Sequence, residues 1–548
     1  MFFYKQSLMK TQSTFNLRLP STRLRFLIII LLVLGVFFRF VHLDRKNYTG
    51  DETMTALRIS GYTLTEMKPQ LLNGRVITLQ DLDKYQSPNP EKSVIDTIKG
   101  LALEESQVTP LYFVIVRFWV EWFGNSLAVM RSLSAFINLL AFPCLYWLCQ
   151  ELFDSSLIGW IAIALISVSP VHLIYAQDAR PYSLWMLTII LSSAALLRAM
   201  RVKSKTSWCL YGVTVSLGLY THLFFGLVAT GHGIYVAAME RFQLSRKLTA
   251  YLLTALAGLL TFVPWLLVII LNAASGTVSW TNTKTTFLSS AIRWIGLVSR
   301  TFIDLGVSPS DSLSRVIPLI PILLILLILT IYSIYYICCK THKRIWLFVL
   351  TLIGATGLAL MLPDLILGKR LGTTRYILPC ILGIQLSVAY LLVTKITSLS
   401  ANLQRQKLWK LVAVILISIG VLSCTIFSQA ETWWSNGPVL NKFNSQVANI
   451  VNQATQPLLI SDSDNLIPLH NLGHLLEPKA RLQLMAKSNI PKTPDNYRDV
   501  FLYNPSDSLK SGLERVYKSD IKLILETGQS EMKAYGDYSS FWTLEKRE

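Results

Sequence analysis

Two adjacent carboxylates, Asp51 and Glu52, stand in NYTGDETMTALRISGYT, only a few residues after the first apolar run of the chain. A carboxylate beside hydrocarbon is costly unless it is hydrated, paired or used. Four further groups of costly residues share the pattern. Glu104 and Glu105 precede TPLYF, in which Tyr112 stands; Asp178, Arg180 and Tyr182 lie in YAQDARPYSLW; His222 lies in GLYTHLFFG; and Lys369, Arg370 and Arg375 lie in DLILGKRLGTTRYILP. A carboxylate can take a proton from a hydroxyl, and cations can neutralise a departing phosphate, for which Arg offers a bidentate fork and Lys a point charge. Singly, each group also reads as ordinary structure: a solvated acidic pair, an ion-paired turn, a satisfied turn histidine, or basic residues snorkelling to lipid headgroups. Their convergence on one membrane face favours a site.

The elements that must position them are membrane helices. The chain has 548 residues, 52% hydrophobic and 15% charged, with a mean hydropathy of +0.45, which is outside the soluble globular range. The first apolar run, Phe26 to Leu43, follows Arg18, Arg23 and Arg25 with no small-residue cleavage site after it, so it reads as an uncleaved span with the N-terminus inside. Ten more runs fall near 127–149, 156–175, 182–199, 208–221, 223–239, 249–271, 314–339, 345–363, 376–394 and 409–428. Those around Gly218 and Gly231 are short for a span.

Basic clusters test the count of eleven. Arg198 to Lys205, Arg241 to Lys247, Lys340 to Arg344 and Lys395 to Lys410 all fall on the N-terminal side. The net charge of +19 is thereby assigned to topology, and nucleic acid is set aside as a partner. Pro110 to Gly124 is too short to cross and carries Arg117 and Glu121, so it reads as an interfacial helix. The acidic loop, Asp178, His222, Lys369, Arg370 and Arg375 then all lie outside. Basic residues on that side run against the usual charge rule, and a bound anion would account for them.

Past Trp433 and Trp434 the composition turns polar, and PLLISDS, ARLQLM, DVFLYN and IKLILET read as strands, with SLKSGLERVYK as a helix between the last two. The expected division is a transmembrane unit, 1–431, whose first outer loop and interfacial helices occupy 44–124, and a small extracytoplasmic α/β domain, 432–548. All seven cysteines lie in or beside apolar segments without a Cys-x-x-Cys pair, as buried apolar residues do.

At this level of detail the chain resembles the GT-C superfamily of polytopic glycosyltransferases, in the branch of the protein O-mannosyltransferases and lipid A aminoarabinose transferases (bacterial family 39-like). The resemblance is carried in order by GDE after the first span, PLYFVIVRFWVEWFGNSLAVMRSLSAF, SPVHLIYAQDARPYSLW, LYTHLFF and TTRYILP. It implies an α-helical polytopic membrane protein of about 11 transmembrane helices, with juxtamembrane helices in the first outer loop and a C-terminal α/β domain. It also implies transfer of a sugar from a polyprenyl-phosphate donor to a cell-envelope acceptor, a glycan, lipid or protein hydroxyl, by one inverting displacement at the outer face of the inner membrane.

By that resemblance Asp51 is the general base and Glu52 shapes the site. Glu104 or Glu105 is the second acidic group, Arg131 and Arg180 help the donor pocket, and Arg375 contacts the lipid-linked phosphate. Lys369 and Arg370 join the phosphate-binding candidates, and Asp178, Tyr182, His222 and Tyr112 the substrate-binding ones. The chain departs from its relatives at Val108-Thr109-Pro110, where His-Pro-Pro or Lys-Pro-Pro is common. No cofactor is required; Asp51, Glu52 and His222 could hold a hard divalent ion, without the spacing typical of a metal site. The rival reading is a transporter or flippase for a polyprenyl-linked glycan, which would hold its polar residues near the midplane on interrupted helices, whereas here they gather at one rim.

Overall fold

A computed structural model describes residues 22–272, 285–307, 313–398, 402–486, 497–517, 519–527 and 539–546. Arg18, one of the basic residues used to orient the first span, lies outside them. Each of the eleven apolar runs is helical, among them Thr22–Phe40, Leu127–Phe153, Tyr182–Val202, Leu378–Thr397 and Leu403–Gln429. Seven described helices are long and apolar enough to cross a bilayer, or eight if Ser156–Ser167 and Pro170–Ala176, bent by 63°, form one broken span. The chain is a multi-pass membrane protein. Thr22–Phe40 carries three arginines, and the runs around Gly218 and Gly231 form the shorter helices Lys205–Thr221 and Phe225–Met239.

Apolar periodicity here is inverted relative to a soluble protein. In Thr22–Phe40 the large exposed residues Phe26, Ile29, Val33 and Phe37 form a stripe at helical spacing for lipid, while Ile28, Leu31, Gly35 and Phe38 face the bundle. Gly35 permits close helix approach: a Cβ there would stand 2.7 Å from the Cβ of Ser167. At that crossing the chain of Ser156–Ser167 breaks, because Pro170 has no N–H and its ring would clash with the carbonyl of Ile166 in a continuous helix. The buried Arg39 fills the gap. Its guanidinium donates to Ser167 O (2.9 Å), Ile166 O (3.3 Å), Gly35 O (2.8 Å) and Asn138 Oδ1 (2.8 Å). The break bends Pro170–Ala176 by 63° from Ser156–Ser167 just ahead of the QDARP turn.

The loop that follows the first apolar helix is largely helical. Gly50–Ser60 opens with a capping box between Thr49 and Glu52 and closes on Gly61 at φ 86°, a left-handed conformation suited to glycine. Leu111–Phe123, expected at the interface, packs on this loop: its buried Arg117 donates to Ile59 O (2.7 Å), Thr97 Oγ1 (3.2 Å) and Lys92 O, and pairs with Glu121.

Among the described residues, six strands make one sheet in the order β1-β3-β2-β4-β6-β5. They are β1 (Asn73–Ile77), β2 (Pro457–Ser461), β3 (Arg481–Met485), β4 (Asp499–Tyr503), β5 (Ser519–Glu526) and β6 (Ser540–Lys546). The four strands read from sequence are β2 to β5, and the helix between the last two is Asp507–Tyr517. β2 runs parallel to β3 and β4, and β6 antiparallel to β4 and β5. β1 comes from the loop after the first apolar helix and pairs antiparallel with β3, so the boundary drawn at 432 cuts through this sheet. Leu57, Tyr62, Met67 and Ile77 of the loop share one core with Phe443, Val447, Leu469 and Phe501.

Replacing Arg39 by Leu leaves the buried Ser167 carbonyl without the donor Arg39 supplies, at about 1–3 kcal/mol, and Ile166 O with the Ser169 amide alone. The expected outcome is a clear drop in the thermal midpoint of the detergent-solubilised protein; an unchanged midpoint contradicts the role given to Arg39.

Candidate functional site

The helix Gly50–Ser60 turns about 100° per residue, so its first acidic residues point at different parts of the molecule. Asp51 Oδ2 accepts from Arg375 Nη1 at 2.8 Å, across 324 positions of sequence. Arg375 Nη1 also donates to the Tyr182 hydroxyl at 3.0 Å. Arg180 Nη1 donates to the backbone carbonyl of Asp51 (3.1 Å) and to Thr55 Oγ1 (3.2 Å). The Asp51 carboxylate keeps 49% of its side-chain surface accessible. Burial pushes its pKa up, but the charges of Arg180 and Arg375 together outweigh burial and hold it below the usual carboxylate range.

Glu52 has a different fate. It is 1% exposed and accepts from Arg131 Nε and Nη2 (both 2.7 Å), from Ala179 N (3.1 Å) and from Thr49 N (3.2 Å). Burial pushes its pKa up, and the Arg131 charge and hydrogen bonds bring the net shift down. The remaining N–H groups of Arg131 reach Leu43 O (2.7 Å), Lys46 O (2.9 Å) and Asn47 O (3.2 Å). All five donors of the guanidinium are engaged, which leaves none for a donor phosphate.

Asp178 borders a cavity of about 20 Å³ with Lys46, Glu52, Arg131 and Gln177, room for about one water. Burial, then the negative charges of Glu52 and Asp51, push its carboxyl up to about 8. Lys46 donates to Gln177 Oε1 (3.0 Å) and lies over the Phe427 ring (3.8 Å); burial and the charge of Arg131 lower it to about 7.

The other expected residues divide. Tyr182 and Arg375 meet Asp51 and Arg180 in one cluster. His222 stacks on Trp185 (centroids 4.1 Å) close to Tyr182 (6.4 Å), and burial with the charges of Arg375 and Arg180 lowers it to about 3, so the imidazole is neutral. Glu104 caps the helix Leu64–Leu71, accepting from Leu64 N (2.9 Å) and Thr65 N (3.1 Å), and pairs with Arg58 at 2.7 Å. Glu105 accepts from Arg58 Nε at 2.9 Å and contributes charge at Arg180. Tyr112 is fully buried, its hydroxyl on Ser134 (2.8 Å). Lys369 is exposed and Arg370 half-buried in the loop before Arg375.

Sequence reasoning missed two organisers. Arg58, buried and seven positions from Asp51 on the same helix face, gathers Glu104 and Glu105. Asp364, fully buried, accepts from Leu371 N (2.6 Å), Gly372 N (2.9 Å), Arg293 Nη2 (2.8 Å) and Trp294 Nε1 (3.1 Å), which folds the loop that presents Arg375. The signal for Asp364 was a lone carboxylate at the end of an apolar run. Among the described residues no three His, Cys, Asp or Glu groups converge as a metal site: Glu52 turns to Arg131 and His222 to Trp185, so Asp51, Glu52 and His222 do not form one donor set.

Removing one partner of a buried ion pair costs about 3–5 kcal/mol, whereas an exposed pair is worth about 0–1 kcal/mol. Glu52→Gln is therefore expected to lower the thermal midpoint strongly, and Asp51→Asn only slightly. Equal midpoints for the two variants contradict the assignment. The Glu52 contribution is present above its unfolded value of about 4.3 and lost as pH falls through the lower folded value. Asp178 has the opposite sign: with its folded value raised to about 8, it costs stability increasingly as pH rises from about 4 to 8. Asp178→Asn should therefore stabilise more at pH 9 than at pH 5 in the same melting assay; an equal gain at both removes the raised value.

Residues 107–268 match the family described as dolichyl-phosphate-mannose-protein mannosyltransferase. The fold is similar to that of ArnT from Cupriavidus metallidurans bound to undecaprenyl phosphate, with a TM-score of 0.51 and 14% identity over 96% of this chain and 98% of that one. The apo state of the same protein gives a TM-score of 0.52 and 13% identity over 94% and 97%. No curated protein sequence matches the chain at a significant level. Along nearly the whole length of both chains, this multi-pass membrane protein has a fold similar to that of ArnT.

Proposed function

We propose that the chain is a membrane glycosyltransferase that moves a sugar from a polyprenyl-phosphate donor to an acceptor hydroxyl at the extracytoplasmic face. The contact of Asp51 with Arg375 carries this reading, since it joins the two groups such a reaction needs. ArnT, which shares the fold, binds undecaprenyl phosphate. In the reaction Asp51 takes the proton of the acceptor hydroxyl, and the acceptor oxygen bonds to the anomeric carbon from the face opposite the phosphate. The bond from that carbon to the phosphate oxygen breaks with its electron pair. Arg375 and Arg180 neutralise the polyprenyl phosphate released, and the anomeric configuration inverts.

The resting ion pair adds a coupling. A phosphate arriving at Arg375 competes with Asp51 for the guanidinium and brings negative charge beside the carboxylate, and both effects raise its pKa. Asp51 becomes a better base once the donor is bound. The neutral His222, stacked on Trp185 and near Tyr182, offers an aromatic wall for the sugar rather than a second cation. In this reading residues 1–431 hold the bundle with its N-terminus cytoplasmic, and 432–548 lie outside with the active site.

Purified protein is incubated with a panel of labelled polyprenyl-phosphate sugars, and loss of lipid-linked label is followed. Asp51→Asn is expected to lower turnover by about 10²–10⁴-fold, the usual worth of a general base, with donor binding retained. Arg375→Ala is expected to raise the donor KM, with Arg375→Lys intermediate. Equal turnover in wild type and Asp51→Asn would sink the mechanism.

A further inference from the structure

The helix Gly50–Ser60 presents three stripes. Asp51, Thr55 and Arg58 face Arg375, Arg180 and Glu105. Glu52, Ala56 and Ile59 face Arg131 and the membrane core. Gly50, Thr53 and Leu57 face the C-terminal unit: a Cβ on Gly50 would stand 3.4 Å from Ile467, and Leu57 shares a core with Leu469 and Leu472. On this third stripe Thr53 Oγ1 donates to Asn471 Oδ1, both residues being nearly inaccessible (2% and 3%).

The segment leading into the helix is tied to the same unit. Asn47 Nδ2 donates to Ser445 Oγ (2.8 Å) and Asn441 O (3.3 Å), and Tyr48 stacks on His474 with centroids 4.2 Å apart, while Asn47 N donates to Glu431 O (3.1 Å) just before that unit. Apolar contacts tolerate small rotations, whereas a buried hydrogen bond fixes one orientation and is costly to leave unmade. A rotation of about 20° about the helix axis moves a side-chain tip at a radius of about 5 Å by about 2 Å. Misplacement of a catalytic group by about 1 Å can cost about 10²-fold.

We propose that Asn471 is a positioning residue: through Thr53 it sets the rotation of the helix Gly50–Ser60, and hence where the Asp51 carboxylate lies relative to Arg375 and Arg180. The C-terminal unit is then part of the active site without contributing a side chain to the Asp51 cluster. This deepens the proposed function and rests on Asp51 being the base. The groups that face Asp51 are Arg180, Arg375, Tyr182 and Asp178, with Glu52 beside it on its own helix. Displacing Asp51 from the two cations brings its pKa back up toward the ordinary value.

Full-length Asn471→Ala, Thr53→Val and Thr53→Ser are compared with wild type in two measurements. In hydrogen exchange, Asn471→Ala and Thr53→Val are expected to lose protection in the first turns of Gly50–Ser60, and Thr53→Ser to keep it. In kinetics, the first two are expected to lose about tenfold or more in kcat/KM, with the acid limb of the pH profile moved up, while Thr53→Ser retains both. Unchanged exchange protection in Asn471→Ala overturns the proposal whatever the rates. Lower rates with an unmoved acid limb, equally in Thr53→Ser and Thr53→Val, also overturn it by marking a merely structural contact. If wild type turns over no polyprenyl-phosphate sugar while the exchange result holds, the proposed function fails and the clamp stands.

Discussion

The buried pair of Glu52 and Arg131 is the constraint on which the candidate site depends. Taking two charges out of water costs several kcal/mol per ion, and the cost is met only when every lone pair and N–H finds a partner. Here Glu52 accepts four hydrogen bonds and Arg131 donates five. Those partners come from the helix Leu127–Phe153, the segment 43–49 and the turn at Ala179. Satisfying one carboxylate therefore fixes four pieces of chain in a single arrangement.

The neighbouring carboxylate is held by the opposite logic. Asp51 and Arg375 are both partly open to solvent, and such a pair contributes little to stability. A weak, preformed pair is one that an incoming anion and a hydroxyl can separate cheaply. Rigidity comes from Glu52 and Arg131, and from Asp364, whose buried carboxylate gathers the loop that carries Arg375. Adjacent residues of one chemical type are thus divided by burial into a structural group and an available one.

Much of this was legible in the sequence because membrane solvent enforces simple rules. Apolar runs of the right length became helices, and the acidic loop and the TTRYILP arginine met, as their shared expected side required. Strands β2 to β5 were legible from short apolar runs between turn residues. β1 was not: NGRVI is short and half polar, and its only reason to be a strand is the edge of β3, supplied by a segment some 400 residues away. Roles within the site were also hidden. Arg131 and Arg180 look equivalent as arginines, and only the count of engaged N–H groups separates a strut from a cation that joins the Asp51 cluster. Glu104 is spoken for by helix capping, which its spacing from Leu64 in sequence could not reveal.

The most direct measurement is a structure of the protein with a polyprenyl phosphate bound, determined by cryo-electron microscopy in lipid. Phosphate density within hydrogen-bonding distance of the Arg375 guanidinium, with the Asp51 carboxylate released, is the expected result. Phosphate bound elsewhere, with the Asp51–Arg375 contact intact, would contradict a site shared by the loop after the first apolar helix and the last membrane helices.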